Sequence, residues 1–317
     1  MITIAYLIAY LGTIACVAIV AKHVLKYLKN PQHLRWELYP VGHEKGRRAS
    51  YGGSYMEDAG WWQHKHHGSF ISGTKALLTE IILLHATLEH NKPLWYRSYP
   101  FHGGLYLLFA GFFLTILAAL AQIAGLNSDV VITVIGYLVN TLALLGFLCV
   151  VVGAIGLIAR RLTDEGLRKY STREHFFNLG AFLVLGILGL VAWFTAWFAN
   201  LSFFELGRNF IVGLLCFNGW TASAGSISFN LYIIMGFLLS AYVPATHMGH
   251  FYMKYFLYHD IRWGDEPAQS NPKIRQNIGE VLNYHVSWRA AHIQGDGTKT
   301  WAEVATTNPT AESKAVK

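Results

Sequence analysis

The chain has 317 residues, of which 53% are hydrophobic and only 14% are charged, and its formal net charge is +7. This composition is too apolar for an ordinary soluble domain and is typical of integral membrane proteins. The three cysteines lie in apolar surroundings without CxxC spacing, so they predict neither a disulfide framework nor an iron–sulfur or zinc site. Sulfur-based metal chemistry is therefore not expected of this chain.

Five apolar segments are long enough to cross a hydrocarbon core, which requires about 20 residues each. They predict an all-α integral membrane fold, a five-transmembrane-helix bundle, with helices at about residues 2–28, 101–124, 130–158, 175–199 and 229–251. The first segment is interpreted as a retained span rather than a signal peptide, because its apolar run is long and its lysines follow it.

Positive charge is distributed very unevenly over the connections between these segments. Of the 25 Lys and Arg residues, 24 lie on one side of a five-span topology, and only Arg208 lies on the other. The positive-inside rule therefore places the amino terminus outside and the carboxyl terminus in the cytoplasm. The apolar segment 200–228 is expected to be a half-embedded or surface helix, because a sixth span would place the basic carboxyl-terminal tail outside, against this rule. Basicity here indicates orientation and not a nucleic-acid partner.

The connection at residues 29–98 is predicted to be a large cytoplasmic loop before a membrane core at 99–258. Its histidines at 64, 66 and 67 favour a hydrated basic surface over a metal site, since no acidic or cysteine ligand is suitably spaced. Apolar residues at helical spacing predict an amphipathic surface helix at about 72–91. The cytoplasmic tail from 259 to 317 is polar and is expected either to lie along a partner or to be disordered.

Two histidines are predicted to lie at the same membrane depth on different helices. His102 is placed in the first turn of the second span and His250 in the last turn of the fifth. Two imidazoles on facing helices are the ligands that six-coordinate haem b requires. His175 and His247 lie close to the same level, so the pattern alone does not select the axial pair. Packed polar residues or interfacial anchors are the alternative interpretation.

Further residues near this level fit a haem site. Small residues beside the two histidines would leave room for a flat macrocycle, namely Gly103, Gly104 and Gly249. Basic residues near the interface are candidate contacts for the haem propionates, namely Arg97, Arg160, Arg161 and Lys254.

Two stretches carry a resemblance to a known family. PATHMGHFYMKYF resembles the end of the fifth helix of the gamma, or cytochrome b, subunit of respiratory nitrate reductase, and PFHGGLYLLFAGFF resembles its second helix. The resemblance implies that His102 and His250 are the axial ligands of one haem b, and hence bind its iron. The ligands of the second haem in that family correspond here to Phe112 and Tyr232. Neither is expected to ligate haem iron, so a single haem is expected.

The stretches WELYPVGHE, YGGSYMED and YFLYHDIRW resemble the branch of this family found in transmembrane redox complexes of sulfate reducers and in heterodisulfide-reductase-like membrane complexes. This resemblance implies a prokaryotic inner-membrane subunit of a quinone-linked oxidoreductase complex, not catalytic alone. It would pass electrons between menaquinone and a cytoplasmic iron–sulfur protein of heterodisulfide-reductase type.

A quinone site is expected on the cytoplasmic side, where the candidate residues are His247, His175 and Tyr99. Two rival functions remain open. One is a transporter or channel that relays protons through membrane histidines, although inverted repeats are not recognisable in the sequence. The other is a membrane anchor without a cofactor.

Overall fold

The computed structural model describes residues 1–29, 69–126, 128–219, 225–250, 252, 272–290 and 293–307. Two compact units divide the chain, Met1–Ala21 with Thr79–Gly249 and Lys22–Leu78 with His250–Lys317, and each is described by itself. In chain order the α-helices are α1 (Ile2–Lys29), α2 (Phe70–Leu83), α3 (His85–His90), α4 (Lys92–Ile123), α5 (Asp129–Thr163), α6 (Glu165–Tyr170), α7 (Arg173–Phe198), α8 (Phe203–Leu215), α9 (Ile227–Tyr242), α10 (Pro272–Leu282) and α11 (Trp301–Thr306).

The predicted all-α membrane bundle with five spans is confirmed. The helices that are long and apolar enough to cross a membrane are α1, α4, α5, α7 and α9, the last extended by a 3-10 turn to Ala245. The α8 helix has 13 residues, about 20 Å at 1.5 Å per residue, which is too short for a span. As expected for segment 200–228, it is not a sixth crossing.

The second span begins earlier than the sequence predicted, at Lys92 rather than near residue 101. The Asn91 side chain accepts the backbone N–H of Leu94 at 3.1 Å, and Pro93 lies in the first turn, where its missing N–H costs nothing. Pro100 lies inside the helix without ending it. His102 is therefore in about the third turn of α4 and not in the first.

The fifth span is interrupted where a continuous helix to residue 251 was predicted. The α9 helix ends at Tyr242 and is followed by two 3-10 turns, Val243–Ala245 and His247–Gly249. Pro244 has no N–H to continue the α-helical ladder. Helical geometry resumes at His250, which consequently does not lie in the last turn of α9.

The amphipathic segment predicted at 72–91 consists of two helices rather than one. Leu84 separates α2 from α3 in the left-handed conformation, with φ of 49°. The Glu80 carboxylate accepts the backbone N–H of Ala86 at 2.9 Å, so the start of α3 is tied back to α2. We refer to residues 79–90 as the elbow.

Close helix contacts organise the unit that contains α4, α5, α7, α8 and α9. The α4 and α5 helices meet through glycines, because a Cβ atom at Gly104 would lie 2.7 Å from the carbonyl oxygen of Gly146. One end of this unit lies near α8 and is called the α8 end. Aromatic rings fill its core. The opposite end, which contains the start of α4, is called the His102 end.

In the other unit, residues 272–290 and 293–307 form a small folded segment. It consists of α10, a hairpin of β1 (Arg289–Ala290) and β2 (Ile293–Gln294), and α11. Val286 is fully buried in it, and its backbone N–H donates to the carbonyl of Lys299 at 2.9 Å. This part of the tail is therefore folded, and the expectation that the tail is disordered does not hold for these residues.

Candidate functional site

One face of α4 carries the residues that surround His102. Trp95, Tyr99, His102 and Tyr106 are three or four residues apart and therefore share one side of the helix. The Trp95 indole donates to the carbonyl of Leu83 at 2.8 Å, and the Tyr106 hydroxyl donates to that of Ile81 at 2.6 Å. Both carbonyls lie in the last turn of α2, where carbonyl oxygens have no N–H donor within the helix. The elbow is thereby fixed to the His102 face, one attachment on each side of His102.

The His102 ring is held in one orientation by its own helix. Its Nδ1 lies 2.8 Å from the carbonyl oxygen of Ser98 and 3.2 Å from the Ser98 hydroxyl. A carbonyl only accepts, so Nδ1 carries the hydrogen and Nε2 carries the lone pair. Histidines that bind metals usually donate their second ring N–H to such an acceptor. The tautomer of His102 thus fits an axial ligand.

The glycines next to His102 have different environments. A Cβ atom at Gly103 would meet nothing within 4 Å, so open space adjoins this position, as the haem hypothesis requires. Gly104 instead lets the backbones of α4 and α5 approach each other. It therefore faces α5, and does not provide the space for a macrocycle that was expected of it. Gly249 is buried.

The predicted basic contacts that the structure describes have different environments. The Arg97 stem packs over Gly156 of α5, and its guanidinium donates to the carbonyl of Pro93. Arg97 therefore faces α5, whereas at 100° per residue His102 points away from that helix. Arg161 donates to the Ser171 hydroxyl at 3.0 Å, and Arg160 is half-buried in the last turn of α5. Lys254 lies outside the described residues.

Two of the predicted quinone-site histidines do come together. His175 at the start of α7 and His247 in the second 3-10 turn have ring centroids 5.2 Å apart. His247 Nδ1 lies 3.2 Å from a carboxylate oxygen of Glu174, and the backbone N–H of Thr172 donates to His175 Nδ1 at 3.0 Å. We call Glu174, His175 and His247 the histidine cluster. Tyr99 instead stacks on Trp95, with 4.5 Å between ring centroids.

A buried amide one helical turn further into α7 was missed by the sequence analysis. Asn178 is only 2% exposed, and its Oδ1 accepts the hydroxyl of Tyr242 at 2.8 Å. Its Nδ2 is buried and has no hydrogen-bond partner among the described residues. The only signal in the sequence is a lone amide within the apolar run HFFNLGAFLVL, because its burial depends on how α7 packs against α9.

The positions that correspond to the second haem of the resembling family are occupied by an exposed and a packed aromatic side chain. Phe112 is 46% exposed on the outside of α4. Tyr232 is packed in an aromatic cluster at the α8 end, with its ring centroid 5.3 Å from that of Phe147 and 5.7 Å from that of Phe203. This part of the bundle is filled with side chains.

Comparison with known proteins gives one family match. A family model described as the nitrate reductase gamma subunit matches residues 85–263, which is more than half of the chain and includes His102 and His250. No curated protein and no solved structure gives a significant match. Among the described residues, no group of three or more His, Cys, Asp or Glu side chains is arranged to hold a metal ion.

Proposed function

We propose a function from one premise: this chain belongs to the nitrate reductase gamma subunit family, whose members are membrane cytochrome b subunits that transfer electrons. The family is one of haem b-containing cytochromes. The chain is accordingly a multi-pass membrane protein of the electron-transport class. Our proposal concerns the finer points, which are the ligands, the number of haems and the partners.

One haem b is ligated by His102 and His250. The observation that carries this assignment is the hydrogen bond from His102 Nδ1 to the carbonyl of Ser98, which makes Nδ1 the donor and gives Nε2 the lone pair that an axial ligand uses. The open space beside Gly103 supports it. When bound, the haem supplies reversible one-electron transfer, and the chain supplies orientation and a low-dielectric environment. The aromatic packing around Tyr232 supports one haem rather than two.

The haem propionates are expected near the cytoplasmic ends of the spans. Arg160, Arg161 and Lys254 are the contacts that we propose, because guanidinium and ammonium groups neutralise carboxylates. Arg97 faces α5 and is a weaker candidate.

The chain exchanges electrons between a menaquinone pool and a cytoplasmic iron–sulfur protein of heterodisulfide-reductase type. The resemblance of the stretches that flank the membrane core supports this partner. The distribution of Lys and Arg supports an orientation in a prokaryotic inner membrane with the amino terminus outside and the carboxyl terminus in the cytoplasm. Quinone is bound at the histidine cluster, which lies on the cytoplasmic side in the proposed orientation.

A visible spectrum of the purified protein tests this function against a proton-relay transporter and a cofactor-free anchor. Our proposal requires a reduced-minus-oxidised haem b band with one haem per chain, and the absence of the band would overturn it. His102→Ala and His250→Ala should each abolish the band. His247→Ala is the matched control and should retain it, because His247 hydrogen-bonds to Glu174 and is not a proposed ligand. Two haems per chain would contradict the single-haem assignment.

A further inference from the structure

The buried amide of Asn178 lacks a partner for one of its polar atoms. Tyr242 satisfies Oδ1, and Nδ2 has no acceptor in the described structure. If the amide were rotated by 180°, the Tyr242 oxygen could accept from Nδ2, and Oδ1 would then be the atom without a partner. Buried polar groups are nearly always hydrogen-bonded, because an unpaired one is costly. The side chain therefore points to a hydrogen-bonding group that the described residues do not supply.

Polar residues lie one helical turn from Asn178, toward the start of α7. Glu174 and His175 lie four and three residues before it and hence on the same side of α7, one turn closer to the helix start. Tyr242 ends α9 immediately before the turns that carry His247. The Glu174 and His247 side chains are each 53% exposed. Two polar layers result, an exposed one formed by the histidine cluster and a buried one formed by Asn178 and Tyr242.

The other side of this buried layer is aromatic and open to the apolar surroundings of the span. Phe177 is 62% exposed, and its ring packs edge-to-face against Tyr242 with 5.6 Å between centroids. In a spanning helix an exposed phenylalanine contacts lipid or an apolar ligand dissolved in lipid. A molecule that reaches Asn178 from this side would be apolar and would carry a group that hydrogen-bonds to the amide.

A quinone ring has these properties. We propose that Asn178, Tyr242 and Phe177 form the site for a membrane quinone head group, with the Asn178 amide hydrogen-bonded to one ring oxygen and the histidine cluster exchanging protons with the aqueous phase. This inference rests on the proposed function, because the haem b proposed above supplies or removes the electrons. Reduction adds two electrons, one at a time, and two protons, and forms two O–H bonds on the ring oxygens. Oxidation of the quinol reverses each of these transfers.

The amide suits both redox forms of this ligand. Asn178 Nδ2 donates to the carbonyl oxygen of a quinone, and a rotated amide accepts from the hydroxyl of a quinol through Oδ1. The Tyr242 hydroxyl, which hydrogen-bonds in either orientation, is a positioning group for the amide. The exposed Glu174 and His247 pair accepts or releases the protons, since neutral imidazole and carboxylate both bind protons reversibly.

The test measures reduction of haem b by menadiol in membranes that contain the assembled protein. Asn178→Leu should raise the KM for menadiol about tenfold, the effect of losing one hydrogen bond to a ligand, while the haem b band stays unchanged. Asn230→Leu is the matched control, because Asn230 is also 2% exposed and also has one unpartnered amide atom, but lies at the start of α9 at the α8 end. It should leave the KM unchanged.

A second pair of variants separates binding from proton exchange. Glu174→Gln and His247→Gln should lower kcat several-fold with little change in KM, because they alter the proton path and not the ring contacts. Should Asn178→Leu fail to assemble with haem, Tyr242→Phe provides the test, since it removes only the hydroxyl and should raise the KM less than tenfold.

The outcomes distinguish the site from the underlying function. An unchanged KM in Asn178→Leu or, where that variant does not assemble, in Tyr242→Phe would overturn the site and leave Asn178 as a structural amide that binds water. If menadiol does not reduce haem b in the wild-type protein although the haem band is present, the quinone link of the proposed function fails instead.

Discussion

The two ends of the membrane unit are built differently. At the α8 end, aromatic rings fill the core, and the half-buried Asn140 is paired within the chain, accepting from the backbone of Phe204 at 3.0 Å and donating to the hydroxyl of Ser202 at 3.2 Å. At the His102 end the span α9 is interrupted and two histidine rings lie side by side. An unpaired amide atom does not separate the two ends, because among the described residues Asn178 has one at the His102 end and Asn230 has one at the α8 end. Packing is more complete at the first end, and chemically active groups are concentrated at the second.

This difference follows from what holds helices together in lipid. Lipid tails are as apolar as the helices, so association depends on close contact between side chains rather than on exclusion of water. The α8 end satisfies this requirement. The interruption of α9 and the exposed histidine cluster at the His102 end contribute less of this contact, and polar groups of this kind are expected to be retained where they bind or react with something. Variants at the α8 end should therefore change stability most, and variants at the His102 end should change cofactor or ligand binding.

Phe147→Ala should give the largest loss of stability. Phe147 is fully buried in contact with Tyr232 and Phe203, and removing a buried aromatic ring typically costs about 3–5 kcal/mol in the free energy of unfolding. Thermal unfolding of the detergent-purified protein would measure it. A loss below about 1 kcal/mol would show that the α8 end is not the tightly packed part of the unit.

Gly189→Ala should be the next most destabilising change. A Cβ atom at Gly189 would overlap the ring of Phe147, which is buried and cannot move aside, so overpacking of about 1–3 kcal/mol is expected. Gly180→Ala on the same helix is the control, because a Cβ atom there meets nothing within 4 Å. Equal unfolding temperatures of the two variants would contradict the close contact of α7 with α5.

The sequence was sufficient to predict the five spans, because length and apolar composition alone decide which segments can cross a bilayer. It predicted less well the start of the second span and the end of the fifth. The second span was predicted to begin near residue 101, yet α4 begins at Lys92 and continues through Arg97 and Pro100, as membrane helices often tolerate proline. The interruption after Tyr242 was signalled by Pro244 and Gly249 but was read as helix.

The candidate site was predicted in part. His175 and His247 were placed at one level from topology, and the structure brings their rings together. The pairing of His102 with His250 stays a prediction. Asn178 was not found, since a single amide in an apolar helix has no periodic signal and its burial is set by packing against α9. The direction of the His102 ring likewise depends on the hydrogen bond to Ser98 and not on a motif.

Tyr10→Phe tests a polar contact at the α8 end. The Tyr10 hydroxyl donates to the carbonyl of Leu214 at 2.7 Å, in the last turn of α8, where carbonyls lack helical partners. Its removal should destabilise the protein by about 1 kcal/mol, less than either packing variant. Thermal unfolding should show a small decrease in the unfolding temperature, and the haem band should be unchanged. A decrease as large as that of Phe147→Ala would mean that hydrogen bonding rather than packing dominates this end.

Tyr106→Phe is the equivalent change at the His102 end and should have the smallest global effect. The Tyr106 hydroxyl donates to the carbonyl of Ile81, so its loss releases one of the two attachments of the elbow, while Trp95 maintains the other. Because the elbow is a peripheral segment, the cost of about 1 kcal/mol should appear as local opening rather than as global unfolding. Hydrogen exchange should accelerate several-fold at residues 79–90 and remain unchanged in α5 and α7. Faster exchange throughout the unit would show that the elbow is part of the stabilising core and that the two ends differ less than their packing indicates.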